Sequence, residues 1–155
     1  MKPTNQFCTF YVDGYLFGVE VEKVREVVTH HQTTRVPLAR PEVEGLMNQR
    51  GQVVIALDLR RRLGLSERPE GKRPMIVSVF AGLRIVNLLV DEIGDVIKTN
   101  GDQFEDVPQT LQGIGRELIS GAYKFKEKLL LVLDLDKTIA IEGKKPAAQP
   151  EGTLV

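Results

Sequence analysis

The sequence predicts a mainly all-β protein, built as small barrels or a sandwich and carrying one or two short helices. Three observations lead there: many short apolar runs rich in Val, Ile and Leu, turn residues at their joints, and no long stretch of helical periodicity. The 155 residues suffice for one ordinary domain or for two very small ones sharing a core, and 42% hydrophobic content is that of a folded chain.

Taken in order, "FCTFYVDGYLFGVEV" (Phe7 to Val21) reads as two strands joined at Asp13-Gly14, a dipeptide that accepts the positive φ angles of a tight hairpin turn. In "EVEKVREVVTHH" the residues Val21, Val24 and Val28 fall at helical spacing with charges between them, which predicts a short helix. Pro37 and Pro41 mark an irregular connection, and a strand follows from Gln52 to Leu57. "DLRRRLGL" reads as one helical turn stopped at Gly64. The polar stretch Ser66 to Pro74 is a loop, and the chain is expected to divide near 66–84. "MIVSVFAG", "LRIVNLLVDEIGDVIK" and "EKLLLVLDLDK" are strand-like, and glycines break "PQTLQGIGRELISGAYKF" into a loop that becomes a strand near Ile119. Residues 1–6 and 142–155 have little to bury and read as flexible tails. The two halves echo each other in "VVIALDLRRRLGL" and "LLLVLDLDKTIAI", as expected of two similar small units packed together.

Charge and chemistry narrow the function. Lys plus Arg and Asp plus Glu each total 21, so no net field draws the chain to a polyanion. Arg60, Arg61 and Arg62, with Arg50 nearby, form the one candidate basic stripe of a nucleic-acid-binding barrel, set against the ordinary reading of a solvated turn. The chain has three Tyr and six Phe, with none between Phe17 and Phe80 to form a stacking platform. Cys8 is the single cysteine, in an alternating strand, and reads as a small core residue in a reducing compartment. The longest apolar runs, Leu129 to Leu133 and Ile85 to Val90, are too short to cross a bilayer as helices, and "MKPTNQ" lacks the apolar segment of a signal peptide, so a cytoplasmic location is expected.

No catalytic or metal site emerges. His30 and His31 are adjacent and diverge, with no third ligand at a suitable distance. Asp91, Glu92 and Asp95 read as a solvated acidic turn, "GIGRE" at Gly113 to Glu117 is too short for a dinucleotide fingerprint, and Ser66, Ser78 and Ser120 sit in no nucleophile elbow. What remains distinctive is Arg50 among glycines and apolar residues: either a docking head that fixes a partner's register or a salt bridge at a barrel corner. Gly45 and Gly51 beside it are open to the same docking role or to simple turn geometry.

"VEGLMNQRGQVVIALDLRRRLGL" (Val43 to Leu65) resembles the signature region of CheW-type chemotaxis coupling proteins: a Gly, then Asn-Leu-Arg-Gly, a β-branched run and Asp-Leu-Arg. "YLFGVEVEKVREVV", "TTRVP", "RIVNLLVDEIGDVIK" and "LLLVLDLDKTI" resemble further segments of that family in the same order, from Phe7 to Ile141. The resemblance implies two five-stranded SH3-like barrels packed together over 7–141, with chain ends able to cross between them, no catalysis and no cofactor. It implies an adaptor that bridges the cytoplasmic tip of a methyl-accepting chemoreceptor to the regulatory domain of the chemotaxis histidine kinase, recruited to receptor arrays at the membrane. It places Val24, Glu26, Gly45 and Arg50 at receptor-binding positions, with Val21 and Asn48 beside them. After Ile141 too little chain follows for an appended receiver domain. Two departures stand out: Gln49 where the family usually has Leu, expected at the rim of the site or retuning the partner, and Ile55 where it commonly has Pro, restoring a ladder donor.

Overall fold

The computed structural model describes residues 6–29, 32–99, 104–107, 114–125 and 127–140. His30, His31, Gly113 and the proposed tails, apart from Gln6, lie outside them. The first hairpin pairs β1 (Gln6–Val12) with β2 (Tyr15–Glu20) and turns at Asp13-Gly14, Asp13 taking φ 53° as the dipeptide predicts. After a 3-10 turn at Val21–Lys23 come β3 (Val24–Val28), the hairpin of β4 (Val43–Gln49) and β5 (Gln52–Asp58), and the short α1 (Leu59–Arg62). A third hairpin follows, β6 (Met75–Ala81) with β7 (Arg84–Val90), then β8 (Glu92–Lys98), β9 (Phe104–Glu105), α2 (Ile114–Glu117), β10 (Ile119–Phe125), β11 (Lys128–Leu133) and α3 (Leu135–Ile139).

The helix predicted over Val21 to Val28 is instead a turn and a strand. β-branched residues lose rotamer freedom in a helix and pack well on a sheet, and here β6 offers an edge to pair with. The valines at helical spacing do not share a face. Pairing slips between Val24↔Val79 and Glu26↔Ser78, so Val24 packs on one core and Val28 on another.

Two sheets result, ordered β8-β1-β2-β11-β10-β9 and β3-β6-β7-β5-β4. They are built alike and by exchange. Each contains one sequence hairpin (β1-β2 or β6-β7), an antiparallel outer strand (β8 or β3), and a second hairpin from the other half of the chain (β10-β11 or β4-β5) joined to it by a parallel pairing. The echo in the sequence has a matching structural basis. Asp58 ends β5 and Asp134 follows the equivalent β11, and each caps a short helix, Asp58 accepting from the Arg60 N–H and Asp134 from the Lys137 N–H.

The ladders remain open, yet each sheet curls around its own small core. The first encloses Phe7, Leu16, Ile97, Tyr123 and Leu130; the second encloses Met47, Ala56, Ile76 and Leu89 with Val28 against them, so each of its five strands contributes one apolar residue. A larger core, including Phe10, Phe17, Val79, Leu88 and Leu131, is shared between the sheets, and Cys8 packs against it as expected. Ile55 pairs with both Leu46 and Val86, making the ladder that a Pro there would interrupt.

Across the gap in the second sheet, the segment following β3 reaches β4 through a pair of bonds between Thr34 and Leu46, both 2.8 Å. Gly45 permits this approach. It is buried at φ 154°, and a Cβ there would lie 2.3 Å from the Thr34 carbonyl oxygen. Gly45→Ala is therefore expected to destabilise the fold by about 2 kcal/mol or more, read as a lower melting temperature. The exchange of hairpins predicts that a chain cut within 66–73 yields two fragments with no cooperative thermal transition alone, regained when they are mixed, as circular dichroism would show.

Candidate functional site

The polar residues at the end of β4 occupy a two-residue turn. Gln49 pairs with Gln52, and between them Arg50 and Gly51 take φ 54° and 80°, the left-handed pair of a type I′ turn. Glycine adopts that geometry freely; Arg50 pays about 1 kcal/mol for it. The Asn48 side chain helps to hold the turn, its Oδ1 accepting the Gly51 N–H at 3.1 Å. Arg50 is thereby presented outward, its side chain 69% exposed.

Glu26 meets it from the opposite edge of the same sheet. In a regular strand, adjacent side chains point to opposite faces, but the bulge at Arg25-Glu26 brings both to one side, with Arg25 Nη2 2.9 Å from Glu26 Oε2. Arg50 Nη2 donates to the other carboxylate oxygen, and Arg25 also reaches Gln52 Oε1 at 3.4 Å. Hydrogen bonds from Arg25 first, then Arg50, hold the Glu26 carboxyl below its ordinary pKa against a smaller desolvation effect.

Of the six residues expected to bind a receptor, the structure thus brings Glu26 and Arg50 into contact, with Asn48 exposed in the supporting turn. Val21 is half-buried in the 3-10 turn, Val24 leans on the shared core, and Gly45 lies under Thr34. Sequence reasoning missed two contributors. Val53, directly across from Asn48 and 64% exposed, leaves apolar surface on the hairpin that carries Arg50; its outward place in "VVIAL" was legible from strand alternation. Arg25 was not legible, because nothing local announces the bulge.

Gln49 lies neither at the rim nor toward a partner. It is 5% exposed and points inside the sheet, where its Oε1 accepts from Asn87 Nδ2 at 3.1 Å.

A CheW-like domain family model matches residues 6–142. The chain belongs to the CheW-like family. It is 28% identical to the chemotaxis protein CheW of Bacillus subtilis over 95% of this chain and 94% of that one, and 28% identical to that of Thermotoga maritima over 84% and 85%. Its fold superposes on the crystal structure of the scaffolding protein TtCheW from Thermoanaerobacter tengcongensis with a TM-score of 0.81 at 25% identity, covering 92% of this chain and 97% of that chain.

In this CheW-like chain the three arginines after β5 are neither a solvated turn nor a basic stripe, because each is spent internally. Arg60 is buried and forms a two-pronged pair with Asp91, at 3.0 and 2.7 Å, while donating to the Ser66 and Glu67 carbonyls. Arg61 donates to the Pro41 carbonyl and lies near Asp58, Glu44 and Glu67; Arg62 donates to the carbonyls of Thr138 and Lys137 at the end of α3. Asp91, read from sequence as part of a solvated acidic turn, is the partner of Arg60 and also accepts the Asp13 N–H at 2.7 Å. It ties the first hairpin to α1. Among the described residues, no group of three or more His, Cys, Asp or Glu is placed to hold a metal ion.

Burial pushes the Asp91 carboxyl upward, but the bonds from Arg60 and the Asp13 amide outweigh it and leave its pKa below the ordinary value. A carboxyl depressed in the folded state adds stability that is complete above its unfolded value, about pH 4, and is lost as pH falls through the folded value. Asp91→Asn should accordingly cost about 2 kcal/mol at neutral pH, with the melting-temperature gap to wild type closing under acid conditions.

Proposed function

We propose that the face carrying Glu26, Arg50, Asn48 and Val53 is where this chain grips the helical-hairpin tip of a methyl-accepting chemoreceptor, with Val21 and Val24 supporting its edge and Gly45 holding its backbone. The chain is a chemotaxis adaptor, a scaffold that couples receptors to the histidine kinase. The observation that carries the site is the meeting of Glu26 and Arg50, 24 residues apart in sequence, at the exposed turn of the hairpin that also exposes Val53. A helix laid on a protein surface needs apolar contact for affinity and charged groups at the rim to fix its register. Glu26 and Arg50 supply both signs. Their pairing keeps either charge from standing alone before the partner arrives.

The second partner is the regulatory domain of the kinase, held near the receptor so that a change in receptor packing alters the kinase through differential contact in two states. This requires no catalytic group. The adaptor acts in the cytoplasm and reaches the membrane through the receptors it binds; among the described residues no helix is long and apolar enough to cross a bilayer. The nucleic-acid reading finds no support, since Arg60, Arg61 and Arg62 are engaged within the fold.

Arg50→Ala is expected to leave the melting temperature unchanged and to weaken capture of a receptor cytoplasmic fragment about tenfold, with much smaller loss for the kinase regulatory domain. Parallel pull-downs against both partners check this. Equal loss of both, with a lower melting temperature, would assign Arg50 a structural role.

A further inference from the structure

The interior of the second sheet holds a polar chain that a purely apolar core would not need. Ser78 on β6 donates to Asn87 Oδ1 on β7, and Asn87 Nδ2 donates to Gln49 Oε1 on β4 at 3.1 Å while lying 3.2 Å from Met47 Sδ. Ser78 and Asn87 are fully buried and Gln49 nearly so. β5 stands between β7 and β4 in the ladder, so the Asn87–Gln49 bond crosses the hollow of the curled sheet instead of following its edge. Buried amides disfavour folding unless bonded, so each member depends on the others.

The location matters more than the polarity. Gln49 immediately precedes Arg50, whose φ of 54° is one that side chains rarely adopt, and alternation points Gln49 inward while its neighbour Asn48 faces out. The turn is therefore tethered from both faces: outside by Asn48 to the Gly51 amide, inside by Gln49 to Asn87. We infer that Gln49 is a positioning residue for Arg50, anchored through Asn87 and Ser78 so that the turn holds the guanidinium over Glu26 before any partner binds. Its effect on coupling rests on the receptor-binding reading above; its effect on the Glu26–Arg50 contact does not. Holding the pair in place in advance lowers the ordering cost of binding.

The test removes the network whole with Gln49→Leu, Asn87→Leu and Ser78→Ala, which leaves no orphaned amide; Gln49→Met alone keeps the volume and removes only the bond from Asn87 to Gln49. The readout is the Glu26 carboxyl, followed by NMR across its titration in the full chain. Arg25 and Arg50 are the charged groups facing it, and Arg50→Ala gives the value expected once Arg50 is lost. In the triple variant Glu26 should titrate upward, toward the Arg50→Ala value, and receptor-fragment affinity should fall about fivefold with kinase-domain affinity unchanged. If the triple variant does not fold, Gln49→Met is expected to move Glu26 in the same direction. A folded variant in which Glu26 titrates as in wild type overturns the inference. Full receptor affinity in Arg50→Ala would instead overturn the receptor reading, with the titration still deciding whether Gln49 sets the turn.

Discussion

The Glu26–Arg50 face depends on the second sheet bending until its two outermost strands come within side-chain reach. β3 and β4 lie at opposite ends of that ladder, and three features draw them together: the Thr34–Leu46 bonds, the absence of a side chain at Gly45, and the bulge at Arg25-Glu26. Bulges increase local twist, and a glycine at a tight approach removes the atom that would force strands apart. The small core of Met47, Ala56, Ile76 and Leu89 then gives the curl something to close around. Site and fold share one cause here.

The exchange of hairpins makes that curl resistant to local change. The parallel pairing of β2 with β11 joins the beginning of the described chain to its end, while β5 and β7 make the equivalent joint in the other sheet. Such contacts are remote in sequence and carry a loop-closure cost that favours slow, concerted folding. Arg60 adds a polar tie where the apolar core cannot reach, fastening α1 and the loop after it to Asp91 and so to the first hairpin. A buried arginine with a two-pronged carboxylate partner is poor evidence of added stability by itself. What it fixes is relative position.

Much of this was legible in the sequence, and the failures share one physical source. Asp13-Gly14 named its hairpin because two residues suffice to set a turn, and Asp58 and Asp134 marked strand ends because a cap is a local bond. Val21 to Val28 misled because the pairing that makes it a strand depends on β6, some fifty residues away. The arginines after Asp58 looked solvated because their partners, Asp91, Thr138 and Lys137, are distant in the chain. Gln49 looked like a surface retuning for the same reason: Asn87 gives it meaning. Of the site, the positions of Glu26 and Arg50 came from resemblance, and their contact came only from the fold.

Where a residue sits decides how a loss of coupling should be read. Gly45 lies beneath the Thr34 backbone and Val24 against the shared core, so substitution at either changes the shape of the face as well as anything it touches. Arg50 stands mostly in solvent at the tip of a turn, where truncation removes a contact and leaves the packing beneath intact. Gln49 belongs to neither class, being buried yet adjacent to the exposed tip, and its influence passes through backbone geometry. A scaffold that couples two partners can alter its output through differences in how well its surfaces fit two states of a partner. Residues that hold a surface in one geometry therefore bear on coupling as directly as those that touch the partner.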